Sequence, residues 1–126
     1  MANQMDPIAT DEKRIQRAAE LKKMNRLEIH EKLCRMVNIE REILHEIILL
    51  IKEIDSRSLP LEMGYAGLFD YLTRAIGYSE GSAQRRIDAV RLIREVPEAI
   101  KKIASGELNL SQVSLLQKSA RESQKI

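Results

Sequence analysis

The sequence predicts an all-α protein: one long helix followed by a C-terminal cluster of short helices that contains a helix-turn-helix. Three observations predict it. Residues 27–56 contain neither Gly nor Pro, so nothing there interrupts a helix. Val and Thr are sparse and no stretch alternates apolar and polar residues for long, which leaves strands without a signal. Charged residues make up 32% of the chain and aromatic ones only 3%. Glu, Lys and Arg favour helices, and the core must come from Leu, Ile, Val, Met and Ala.

A chain of 126 residues is enough for one modest core. Residues 1–9 carry Pro7 and no periodicity and are expected to be disordered. Residues 10–58 hold an N-terminal helix and the long helix, 59–120 a helical domain with the helix-turn-helix, and 121–126 a tail. Thr10 or Asp11 caps the first helix, on which Ile15, Ala18, Leu21 and Met24 fall at loose helical spacing. Its remaining residues are largely basic (Lys13, Arg14, Arg17, Lys22, Lys23, Arg26), which suits either phosphate contact or a solvated face. Asn25 either interrupts this helix or sits on its surface. In the long helix Ile29, Leu33, Met36, Ile43, Ile47 and Ile51 recur at steps of three and four. Such a helix needs a partner surface, from the rest of the chain as core or from a second copy as a dimer seam, and the expectation is a homodimer through the long helix. The gap at Glu40 argues against an uninterrupted coiled coil.

Beyond Pro60, Gly64 and Gly67 mark a turn. Leu68 to Ile76 forms a short amphipathic helix, which Gly77 stops with a left-handed residue. Ser79 caps the next helix, roughly Glu80–Glu95, and Pro97 ends it and can start another. Gly106 closes that helix, and Ser111 is expected to cap a last one carrying Val113, Leu116 and Ala120.

Two short helices joined by the turn Gly77-Tyr78-Ser79 have the form of a helix-turn-helix, whose second helix enters the major groove N-terminus first. Ala83 is small where the helices must cross, and Leu72, Ile76 and Ile87 are apolar where the motif needs a core. The opposite face is expected to present Ser82, Gln84, Arg85, Asp88 and Arg91. Gln can pair with adenine edges, Arg with guanine or phosphate. Gln84 and Arg85 are therefore expected at base edges, with Ser79, Ser82, Arg86 and Arg91 on phosphates. Glu80 and Asp88 oppose this, since carboxylates repel phosphate. Net charge is only +2, so any contact with DNA is a local patch.

The stretch GYSEGSAQRRIDAVRLIREVPEAIKKIASGELNLSQVSLL resembles the helix-turn-helix region of ParB-like partition proteins. They share a Gly-x-Ser turn, a helix ending in Arg-Leu, a Pro-Glu helix start and a Gly-Glu-Leu-x-x-Ser step. From Glu40 to Leu116 the chain is also similar to the helical N-terminal domain that precedes HNH nuclease modules in many bacterial proteins. Both resemblances imply an all-helical fold that serves DNA. In departure from the first, the recognition helix runs about one turn longer, and Arg86 stands where an apolar residue is common. In departure from the second, no ββα-metal segment with clustered His and Asn follows Leu116, so nuclease activity is not implied.

No catalytic constellation emerges. His30-Glu31-Lys32-Leu33-Cys34 mimics the spacing of a HExxH zinc helix with Cys in the last place, but no third ligand is evident, and neither a metal nor a cofactor is expected. Gly64-Tyr65-Ala66-Gly67 has the form of a GxxG loop without the strands of a KH domain. Gly77–Gly81 lacks the spacing of a P-loop. Cys34 is the only cysteine, and no apolar signal core opens the chain, which together suggest the cytoplasm. The expectation is thus a non-catalytic, regulatory or accessory module that binds double-stranded DNA. The alternatives are a protein-interaction or assembly domain, and the N-terminal remnant of an HNH endonuclease.

Overall fold

A computed structural model describes residues Thr10–Ser123, and among these every regular element is helical. The expectations for residues 1–9, and for 124–126 of the tail, lie outside the described residues. The chain divides into two compact units, Met1–Asn38 and Ile39–Ile126. The division falls inside the long helix rather than at residue 58, because Ile48 and Ile51 of that helix belong to the core of the second unit.

The first unit holds α1 (Asp11–Lys22) and the opening of α2 (Arg26–Ser56). Thr10 caps α1 by accepting from Lys13 N at 3.3 Å. Asn25 ends the ambiguity between the two helices by starting the second. Its Oδ1 accepts from Glu28 N at 2.9 Å while Glu28 Oε2 accepts from Asn25 N at 3.3 Å, a reciprocal capping box. No described side chain in residues 10–38 is buried; Leu21, Met24, Lys32 and Val37 are half-buried.

The second unit holds the rest of α2, then α3 (Leu59–Glu62), α4 (Leu68–Asp70, running on as a π-helical turn Tyr71–Ala75), α5 (Glu80–Glu95), α6 (Ala99–Ser105) and α7 (Leu110–Ser123). Its largest fully buried side chains are Ile48, Leu72, Val90, Ile103 and Val113. They come one each from α2, α4, α5, α6 and α7, so the core is a meeting point of five helices. The helix α5 is central and buries Ala83, Ile87, Asp88, Ala89, Val90 and Ile93.

Local departures from expectation have local causes. Ile76 N donates to Tyr71 O at 3.2 Å, five residues back. That widened turn rotates the chain, and Ile76, expected in the core, is half exposed instead. Gly77 is left-handed at φ 93, and Tyr78 N donates to Leu72 O at 3.0 Å, closing α4. Ser111 does not cap α7. Asn109 does, accepting from Gln112 N at 2.8 Å and donating to Gln112 Oε1 at 2.9 Å. Gly106 is left-handed at φ 84, and a Cβ there would come within 2.6 Å of the Arg41 guanidinium. No described helix is long and apolar enough to cross a membrane.

Candidate nucleic-acid interface

The site is built on the first turn of α5. Ser79 has extended backbone and its Oγ accepts from Ser82 N at 3.2 Å, so the cap fixes where the helix begins. Glu80 and Gly81 are exposed. Arg85 folds back over this turn: its Nη2 donates to Ser82 Oγ at 3.3 Å, and a Cβ on Gly81 would lie 3.3 Å from Arg85 Nη1. Gly81 therefore leaves the room in which the guanidinium rests.

Arg86 points elsewhere. Its guanidinium carbon lies 4.2 Å from the centroid of the Tyr78 ring, and Nη1 donates to Ser82 O at 3.0 Å. Its Nε is buried without a hydrogen-bond partner. Cation–π stacking and this hydrogen bond make Arg86 a brace between the turn and the helix.

The expectation that Asp88 shares an open polar face with Gln84 and Arg85 requires correction. Asp88 is 2% exposed. It accepts from Gln84 Nε2 at 3.0 Å and from Ser114 Oγ on α7 at 2.8 Å. The helix α7 covers this side of α5, and the carboxylate ties the two helices together, out of reach of any groove. Gln84 is half-buried, held by one amide hydrogen, and lines with Arg91 a cleft of about 530 Å³ beside Leu68 and Phe69. Arg91 is exposed and makes no ion pair among the described residues, whereas Arg94, at the same cleft, pairs with Asp55 at 2.6 Å. The five residues expected on one face thus divide three ways. Ser82 and Arg85 lie at the first turn, Gln84 and Arg91 at the cleft, and Asp88 in the interior.

Three residues outside the expected set shape the site: Gly81, Tyr78 and Ser114. The run Ser79-Glu80-Gly81-Ser82 could have signalled a close approach at Gly81. Nothing in the sequence pairs Ser114 with Asp88 across 26 residues. On the opening of α2, Cys34 Sγ lies 3.6 Å from His30 Nε2. No group of three or more His, Cys, Asp or Glu able to hold a metal occurs among the described residues. No family model, curated protein or solved structure matches the chain.

Proposed function

We propose that this chain is a non-catalytic helical module that binds double-stranded DNA, docking the backbone at the first turn of α5. The observation that carries the reading is Arg85 folded over Gly81 at that turn. A cation at a helix N-terminus opposes the macrodipole and detracts from stability. An anion bound there would satisfy both the guanidinium and the helix end. Ser79 and Ser82 add hydroxyls, and exposed Arg91 is a further cation on α5. Gln84 is the residue assigned to a base edge; Arg85, expected at a base edge, is assigned here to the backbone, and Arg86, expected on phosphate, holds the turn in place. Asp88 has no part in contact. Such a module would serve as a regulatory or accessory factor in the cytoplasm, without cofactor. The ParB-like grammar of the same segment supports this reading.

Fluorescence anisotropy with a duplex at about 50 and 200 mM salt tests it. Wild-type affinity should fall steeply with salt. Arg85→Ala should weaken binding and reduce the salt slope by about 1, as loss of one phosphate contact does. Absence of duplex binding by the wild-type chain at the lower salt would overturn it.

A second reading, an assembly domain, is favoured by the apolar residues exposed along α2. On that reading Arg85→Ala combined with Arg86→Ala leaves the chain's activity intact.

A further inference from the structure

The cleft between α4 and α5 has a chemistry that DNA binding does not account for. Every residue that lines it belongs to the unit 39–126. Gln84, Ile87, Arg91 and Arg94 line it at steps of three and four, so one face of α5 forms its length. From Gln84 to Arg94 that face runs about 15 Å, at roughly 1.5 Å per residue. The space measures about 530 Å³, within the range of small-molecule sites. Buried Ile87 and Val90 supply an apolar floor, and Leu68 and Phe69 of α4 a wall. Phe69 is 40% exposed, so part of it is open to contact.

Charge selects what can enter. Two carboxylates line the cleft, and both are engaged. Asp55 pairs with Arg94 at 2.6 Å. Asp70 pairs with Arg74 at 3.2 Å and accepts from Ala66 N at 2.9 Å. Arg91 is left over: it lines the cleft, is exposed, and makes no ion pair among the described residues. Arg74, Arg91 and Arg94 against Asp55 and Asp70 leave a single positive charge. A monoanion balances it, whereas a phosphate monoester brings nearly two charges. The planar guanidinium fork matches the two oxygens of a carboxylate. A floor of aliphatic side chains beside the Phe69 ring suits a flat aromatic body, which can meet that ring offset or edge-on.

We propose that this cleft binds a small aromatic monocarboxylate, with its carboxylate on Arg91 and its ring over Ile87 and Val90 beside Phe69. Arg94 takes no part in holding the anion, because Asp55 already satisfies it. Gln84, fixed by its 3.0 Å hydrogen bond to Asp88, stands at the end of the cleft away from Arg94. Occupation of the cleft and contact of the Gln84 amide with a base edge therefore exclude one another.

The test is calorimetric titration of the full chain at low salt with 2-naphthoate as the probe. Saturable one-to-one binding with a dissociation constant of about 1 mM or less is expected. Arg91→Gln should weaken it about tenfold or more, and Phe69→Ala about threefold. The uncharged analogue 2-naphthalenemethanol should bind about tenfold more weakly than the carboxylate. Both substituted residues are exposed, so circular dichroism and the urea midpoint of the variants should match the wild type. In NMR spectra the Leu68 and Ile87 methyls and the Gln84 side-chain amide should shift on titration. Lack of saturation at millimolar probe, equal binding of the alcohol, or unchanged affinity in Arg91→Gln would each overturn the proposal. So would shifts confined to Ile29, Leu33 and Met36, which line an apolar notch on the opening of α2. The assay contains no nucleic acid, so its outcome is independent of the proposed DNA contact.

Discussion

Residues 10–38 and residues 39–123 draw on the same kinds of side chain at the same spacing, and reach opposite degrees of burial. In the first stretch Ile15, Leu27 and Leu33 are 71%, 64% and 63% exposed. In the second, Ile48, Leu72, Val90, Ile103 and Val113 are fully buried. The periodic pattern does not differ; the number of neighbours does. Five helices converge on one cluster in the second unit, whereas no described side chain of residues 10–38 is buried. A helical stripe states which side seeks cover, and says nothing about what provides it.

The sharpest way to break this contrast is to truncate one isoleucine on each side of it. Ile48→Ala should lower unfolding stability by about 2–5 kcal/mol, and Ile15→Ala by less than about 0.5 kcal/mol, both from urea denaturation. Equal losses would mean that α1 is as enclosed as the core. Next in size is the polar tie between α5 and α7. Asp88→Ala strands Gln84 and Ser114 and should cost about 1–3 kcal/mol in the same assay. A neutral result would show that α7 is held by apolar contact alone. Gly106→Ala forces a side chain into left-handed backbone and against Arg41, at about 1–2 kcal/mol. Here the cost should shrink when Arg41 is also shortened to Ala.

The smallest test compares two caps of the same design. Asn109→Ala should cost about 1 kcal/mol of global stability, because α7 is part of the cooperative core. Asn25→Ala removes the equivalent cap from the unit without a core. Its effect should be faster hydrogen exchange at the Glu28 amide, with the urea midpoint unchanged. A shifted midpoint for Asn25→Ala would join the two units in one unfolding transition.

Much of this was legible in the chain. Thr10 and Ser79 read as caps, Gly77 and Gly106 as stops, and Ala83 as the small residue at a crossing, because each depends on neighbours a turn or less away. Two caps were legible and missed: Asn25-x-x-Glu28 and Asn109-x-x-Gln112 both carry the box pattern. Ile76 was misjudged because a π-helical turn shifts the periodicity on which the expectation rested. Arg85 was singled out by type and position, but the niche over Gly81 that orients it needs coordinates to be seen.

The helices, their ends and the sharp turn before α5 were determined by the sequence itself, since backbone hydrogen bonds, caps and left-handed glycines are settled within a few residues. Only the tertiary structure decided which polar groups of α5 meet solvent. Helical periodicity made Asp88 a neighbour of Gln84 and Arg85, but Ser114, 26 residues further on, drew its carboxylate into the interior. Burial is set by whichever element packs across a face, and that element lies beyond the range of any local pattern.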